Sequence, residues 1–242
     1  MLELILSVLP PGAAPVSGGS ADLYFSVEEA FDSSSKVCRY CLFVDNECQF
    51  ETYQFPELLL HLENRIDIAI AMHTKEFVFV DASVVWWRER AIIFPGNRVS
   101  GRWSLLGALV AAGADCHSER FAVFDHKGYI HAYPRPTWSN IAVAATEYTP
   151  LKRQARHPPV KVGTIALIEF DPRIRWLPNR ISRGQGLLAL LDAAVTSPTG
   201  RATAFDVLKR GIDQATVIQG LRRHLSPVLE TLLEQGPLSQ SV

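Results

Sequence analysis

The chain has 242 residues, with 24 Lys and Arg against 25 Asp and Glu, a formal net charge of −1 and 48% hydrophobic residues. That balance excludes whole-chain disorder, which needs low hydrophobicity and high net charge. It also argues against a nucleic-acid binder driven by bulk charge, because phosphate neutralisation needs a basic surplus. At this length one domain with an elaboration is expected.

No stretch reaches the roughly 18 to 20 apolar residues of a spanning helix; the closest are Ile66 to Met72 and Trp103 to Ala114. A soluble, cytoplasmic protein is therefore expected, without membrane or nucleic-acid partners. The opening MLELILSVLPPG is apolar, but Glu3 interrupts it and no basic start precedes it, so it reads as a strand rather than a secretion signal.

The Pro/Gly/Ser run at residues 10–20 is a loop, and from Ala21 to Phe55 short β-prone runs alternate with the turn-like DSSS and DNE, predicting a β-rich extension over 1–56. Here Cys38 and Cys41 have zinc-knuckle spacing, yet Cys48 and Cys116 do not make the second close pair of a structural zinc site. The favoured reading is of small residues in strands, with Cys38 and Cys41 on opposite faces.

The spacing of Leu58, Leu59, Leu62, Ile66 and Ile70 predicts a helix from about Glu57 to His73. FVFVDASVV and AIIF read as two strands around the turn RER, and WSLLGALVAAG as a helix closed by Gly113. RFAVFD and YIHAYP follow as strands about the turn HKG. PLKRQARHPPVK, from Pro150 to Lys161, reads either as a contact for an acidic partner or as an exposed basic loop; the solvated loop is favoured. VGTIALIEF is a buried strand, and Ser182 caps a helix through GLLALLDAAV. Two or three short amphipathic helices are expected in the tail, around Ala202 to Lys209, Thr216 to His224 and Pro227 to Glu234, as cover for a sheet rather than as a winged-helix element. The organisation so read is an extension over 1–56, a core over 57–197 and a helical region over 198–242.

The histidines carry no metal-ligand spacing, and Cys116 and His117, adjacent on a strand, face opposite ways, which argues against a cysteine-histidine enzyme. The most informative span is Phe77 to Pro136, FVFVDASVVWWRERAIIFPGNRVSGRWSLLGALVAAGADCHSERFAVFDHKGYIHAYPRP. A strand, a glycine-bounded loop, a helix and a strand near acidic residues follow in the order of a P-loop nucleotide site, with GNRVSGRW where G-x-x-x-x-G-K-[ST] would stand.

The pieces AIIFPG, GRWSLLGALVAAG, HSER, FAVFD, HKG and YPRP together resemble the P-loop domain of HPr kinase/phosphorylase-like proteins. VGTIALIEF and RGQGLLALLDAAV extend the resemblance to about Val195, across a gap at the basic loop. It implies an α/β fold of the HPr kinase/PEP carboxykinase-like type, a mixed sheet flanked by helices. It further implies an ATP-dependent serine kinase ancestry acting on a protein or peptide, with ATP and Mg²⁺ as cofactors if the site is active, and self-association.

The same resemblance maps a phosphate loop onto Gly96, Asn97, Arg98, Val99, Ser100, Gly101, Arg102, Trp103 and Ser104. Arg102 stands at the Walker lysine and Trp103 at the magnesium-binding hydroxyl. An arginine fork is longer and planar, and an indole offers no oxygen to a hard cation. Ser104 is a poor substitute, because one helical step rotates a side chain by about 100°. In the family's Ser-acid-acid step stand Ser118, Glu119 and Arg120, making Glu119 the candidate metal ligand or general base against a plain surface carboxylate paired with Arg120 or Arg102. Asp81 stands where the family commonly carries a histidine, and reads equally as a functional or a structurally paired carboxylate. Two function classes follow: a protein or peptide kinase with weakened catalysis, and a catalytically inactive scaffold that retains the fold. Because phosphoryl transfer needs its parts together, two altered positions put the scaffold ahead.

Overall fold

The computed structural model describes residues 2–33, 36–96, 101–135 and 158–234. The chain forms two compact units. One holds the described residues up to Ile70 together with Arg135, and the other those from Ala71 to Pro134 and from 158 onward. Most of the basic segment, 150–157, lies outside the described residues, as do Ser34 and Ser35 of the DSSS turn.

In the first unit, strands β1 (Phe25–Asp32), β2 (Val37–Val44) and β3 (Glu47–Thr52) form an antiparallel meander. The opening is not a strand but a helix, α1 (Leu2–Ser7). Its residues are apolar at nearly every position and so fit either period. The choice falls to Ile5 and Val8, one helical turn apart, which pack into a core with Leu42, Leu58, Leu59 and Leu62 while Leu2, Leu4 and Leu6 stay exposed.

Helix α2 (Phe55–His73) supplies the other side of that core, as its apolar spacing predicts. Between the leucines it also buries Glu63 and Asp67, which stand one turn apart and share a face. Arg135 meets both: its Nε lies 3.0 Å from Glu63 Oε1 and its Nη2 3.1 Å from Asp67 Oδ1, with all three side chains at most 3% exposed. Nη2 also donates to the carbonyl of Val8 at 2.8 Å.

The second unit is a mixed sheet flanked by helices, as expected for the α/β class. Its strands are β4 (Phe77–Trp87), β5 (Arg90–Pro95), β6 (Asp115–Ser118), β7 (Phe121–Asp125), β8 (Ile130–His131), β9 (Lys161–Phe170), β10 (Asn179–Ile181), β11 (Ala194–Val195) and β12 (Thr216–Arg222). The order is β10-β12-β9-β5-β4-β7-β8, with β6 and β11 also paired to β4. Strands β5, β9 and β12 are mutually parallel at the centre.

Strand alternation sorts neighbouring residues onto two cores. Val84, Ile93, Ile165 and Val217 pack on one face with Leu190 of α4 (Arg183–Asp192) and Val207 and Leu208 of α5 (Arg201–Gly211). Val85, Ile92, Ala166 and Ile218 pack on the other with Leu105, Leu106 and Leu109 of α3 (Arg102–Ala111) and Val228 and Leu232 of α6 (Ser226–Glu234). Ser182 does cap α4, its Oγ accepting from Gln185 N–H while the Gln185 side chain accepts from Ser182 N–H.

The expected helix over Thr216–His224 is instead β12. Its β-branched start fills the parallel place beside β9, and tertiary pairing overrides the helical reading. Gly220 belongs to that place, because a Cβ there would stand 2.5 Å from the Trp176 ring. Among the described residues no helix is long and apolar enough to cross a membrane.

The buried trio of Arg135, Glu63 and Asp67 yields a prediction. Arg135→Met removes the buried counter-charge of two carboxylates and is expected to cost about 3–5 kcal/mol in denaturant unfolding. Adding Glu63→Leu and Asp67→Leu is expected to recover most of that loss, since apolar replacement of the whole set is often neutral.

Candidate functional site

The candidate loop leaves the sheet at Pro95, the carboxyl end of β5, between β4 and the parallel β9. Ligands of open α/β sheets bind at carboxyl strand ends of this kind. Gly96 has φ 104° and Gly101 φ 73°, both in the left-handed region that glycine tolerates. Gly101 is the N-cap of α3, whose first turn carries no acidic residue, so the positive end of the helix faces the loop. Asn97, Arg98, Val99 and Ser100 lie outside the described residues.

Arg102, which the resemblance sets against a Walker lysine, turns inward. Its Nη2 donates to Asp81 Oδ1 at 2.9 Å and its Nη1 donates to the carbonyl of Gly96. The arginine side chain is 1% exposed and the aspartate 45%. Asp81 is held in turn by its backbone, with its N–H donating to Ala193 and its carbonyl accepting from Gly96 N–H. The guanidinium thus ties the end of β5 to β4, with a carboxylate already balancing its charge.

Trp103 is half-buried and packs against the core beneath α3, while Ser104 is exposed. The indole acts as an apolar anchor for the first helical turn. Glu119 lies on the connection between β6 and β7, largely buried, and its carbonyl accepts from Ser83 Oγ at 2.6 Å. Ser83 is two residues along β4 from Asp81 and so on the same face. Asp81 and the backbone of Glu119 are therefore both held to one stretch of β4. Ser118 Oγ closes the connection by accepting from the N–H groups of Arg120 and Phe121.

Burial drives the Cys116 thiol up to about 12, and the negative charge of Glu119 pushes it the same way. That thiol stays protonated and is no nucleophile. His117 beside it is buried. His131 binds Asp125 through Nε2 at 3.0 Å. Burial pushes the Asp125 carboxyl up, but hydrogen bonds from His131 and from the N–H groups of Tyr129 and Lys127 outweigh it and hold the group below its usual range.

One further side chain reaches the loop that the sequence reading did not single out. Arg222, at the end of β12, donates from Nη2 to the carbonyl of Gly101 at 2.9 Å and lies 5.7 Å from the Phe170 ring. It is 4% exposed, and burial lowers its pKa from the ordinary arginine value. Its Nε has no hydrogen-bond partner among the described residues. A Cβ at position 101 would meet the end of the Arg222 side chain, but it is the positive φ of Gly101 that demands glycine there. Reading 216–224 as a helix hid it; the alternation Val217, Gln219, Leu221 against Ile218, Gly220, Arg222 is the signal that a strand delivers it here.

No known protein family, curated protein or solved structure matches this chain.

Two outcomes are expected from this geometry. Asp81→Asn leaves Arg102 buried with its carboxylate removed and is expected to destabilise the fold by about 1–3 kcal/mol, half-exposure of Asp81 moderating the cost. In a double-mutant cycle by urea unfolding, Arg102→Met combined with Asp81→Asn is expected to cost less than the two single changes summed. Alkylation of the native protein near pH 8, read by mass spectrometry, is expected to modify the exposed Cys48 and spare Cys116.

Proposed function

We infer that this chain is an HPr kinase-like protein of P-loop ancestry that has lost phosphoryl transfer and acts as a binding or scaffold protein for a protein or peptide partner. The observation that carries this reading is the Arg102 to Asp81 pair. A phosphate-binding cation must offer its charge to the β- and γ-phosphates, and here the charge at that position is balanced by a carboxylate inside the protein. The indole of Trp103 supports the same reading, since Mg²⁺ takes oxygen ligands in tight octahedral geometry. Gly96 and Gly101, both with positive φ, the first after a carboxyl strand end and the second capping a helix with no acid in its first turn, support the ancestry.

A second reading keeps weak ATP binding, with or without kinase activity, and Arg222 favours it. This cation stands beside Gly101, with burial opposing its charge and one N–H group unused among the described residues. Under that reading Asp81 and Glu119 are the carboxylates that serve a metal or an attacking hydroxyl, and Asp81 must give up Arg102 to do so.

Calorimetry with ATP and then ADP, each with and without Mg²⁺, separates the two, with Gly101→Asp as the loop control. The scaffold reading expects no Mg²⁺-dependent gain in affinity. Micromolar, Mg²⁺-dependent ATP binding that disappears in Gly101→Asp overturns it in favour of the ATP-binding reading.

A further inference from the structure

The meander of the first unit carries a feature independent of the P-loop reading. Strands β2 and β3 pair with Cys41 opposite Glu51 and Leu42 opposite Phe50, after which the register shifts and Phe43 faces Cys48. Gln49 is the extra residue of that bulge. In an unbroken strand residues 48 and 51, three apart, would face opposite ways. The bulge corrects their parity, and Cys48 and Glu51 join Cys41 on one face.

The result is a convergence of ligand atoms. The Sγ atoms of Cys41 and Cys48 and a carboxylate oxygen of Glu51 all lie within 4.8 Å of one another. Cys41 Sγ is 3.9 Å from Glu51 Oε2. Tetrahedral zinc with two thiolates and a carboxylate needs sulfurs about 3.8 Å apart and sulfur to oxygen about 3.5 Å apart, so small side-chain movements suffice. Cys41 is buried whereas Cys48 and Glu51 are exposed, which anchors one ligand and leaves entry open.

The existing contacts of these groups are weak enough to yield. Arg39 Nη1 is 3.5 Å from both Glu51 oxygens, across side chains about half exposed. Cys48 Sγ donates to the carbonyl of Phe50 at 3.7 Å, a long contact. The CRYC spacing is not the pair that matters, because Cys38 and Cys41 lie on opposite faces of β2 and it is Cys48 that meets Cys41.

The geometry points to a three-ligand site for a zinc-type divalent cation, formed by Cys41, Cys48 and Glu51 with a fourth position open to water or a partner's group. Two thiolates select a borderline or soft metal over Mg²⁺ or Ca²⁺. Thiols bind such a cation only as thiolates, so binding releases protons and weakens as pH falls.

The test is a Co²⁺ titration of the reduced full chain, followed by absorbance. A thiolate-to-cobalt charge-transfer band saturating at one equivalent and displaced by Zn²⁺ is the expected result. Cys48→Ser and Cys41→Ser should each lower affinity at least about tenfold, while Cys38→Ser with Cys116→Ser should keep the band. Because Cys48 is exposed, Cys48→Ser should fold normally by circular dichroism and carries the test where Cys41→Ser does not fold. Absence of the band in the wild-type chain, or its persistence in Cys48→Ser, overturns the site. So does recovery of a Cys41–Cys48 disulfide from a protein that, once reduced, binds no Co²⁺.

Discussion

Every backbone N–H and carbonyl of a buried strand must find a partner, and in the second unit this constraint falls most heavily on β4. Its residues are hydrogen-bonded by β5 and β11 and by β6 and β7, so both edges are used along nearly all of its length. The candidate site is a product of that crowding. Asp81 pairs across to Phe121 while its own N–H and carbonyl are taken by Ala193 and Gly96, which fixes the carboxylate at the end of β5. Ser83, one step further on the same face, holds the β6–β7 connection and with it Glu119.

Within that frame, charge decides the chemistry. Arg102 is rooted in α3, yet its guanidinium reaches back to the strand ends, where a carboxylate and a carbonyl accept from its two Nη groups. Arg222 approaches the same glycine from the other side, spanning the end of β12 to the start of α3. Two arginines therefore bracket Gly101, one neutralised and one partnered by a carbonyl and an aromatic ring. The proposed loss of phosphoryl transfer rests on the first, and the competing reading on the second.

Much of the fold was legible where one period dominated. The stripe of Leu58, Leu62 and Ile66 set α2, the apolar runs about Arg88 and Glu89 set a strand pair, and Ser182 with Gln185 set the start of α4. Legibility failed where local pattern was ambiguous and long-range pairing decided. The first residues are apolar in both periods, and 216–222 became a strand only because β9 needed a parallel neighbour. The site was half legible for the same reason. Gly96, Gly101, Arg102 and Asp81 could be named from spacing and resemblance, but which acid meets which base depends on strand register, and Arg222 arrives from 121 residues beyond Gly101. The bulge at Gln49 was likewise invisible, since it changes parity without leaving a mark in composition.

The Arg102 to Asp81 pair also couples two positions that stand on different elements. A lysine at position 102 would still find an aspartate beside it, so changing that one residue would not free a cation for an incoming anion. Asp81 would have to change as well, and its removal alone exposes the fold to a buried, unbalanced arginine. The two positions therefore form one unit of substitution, and a cation presented to solvent at the end of β5 requires both to change together.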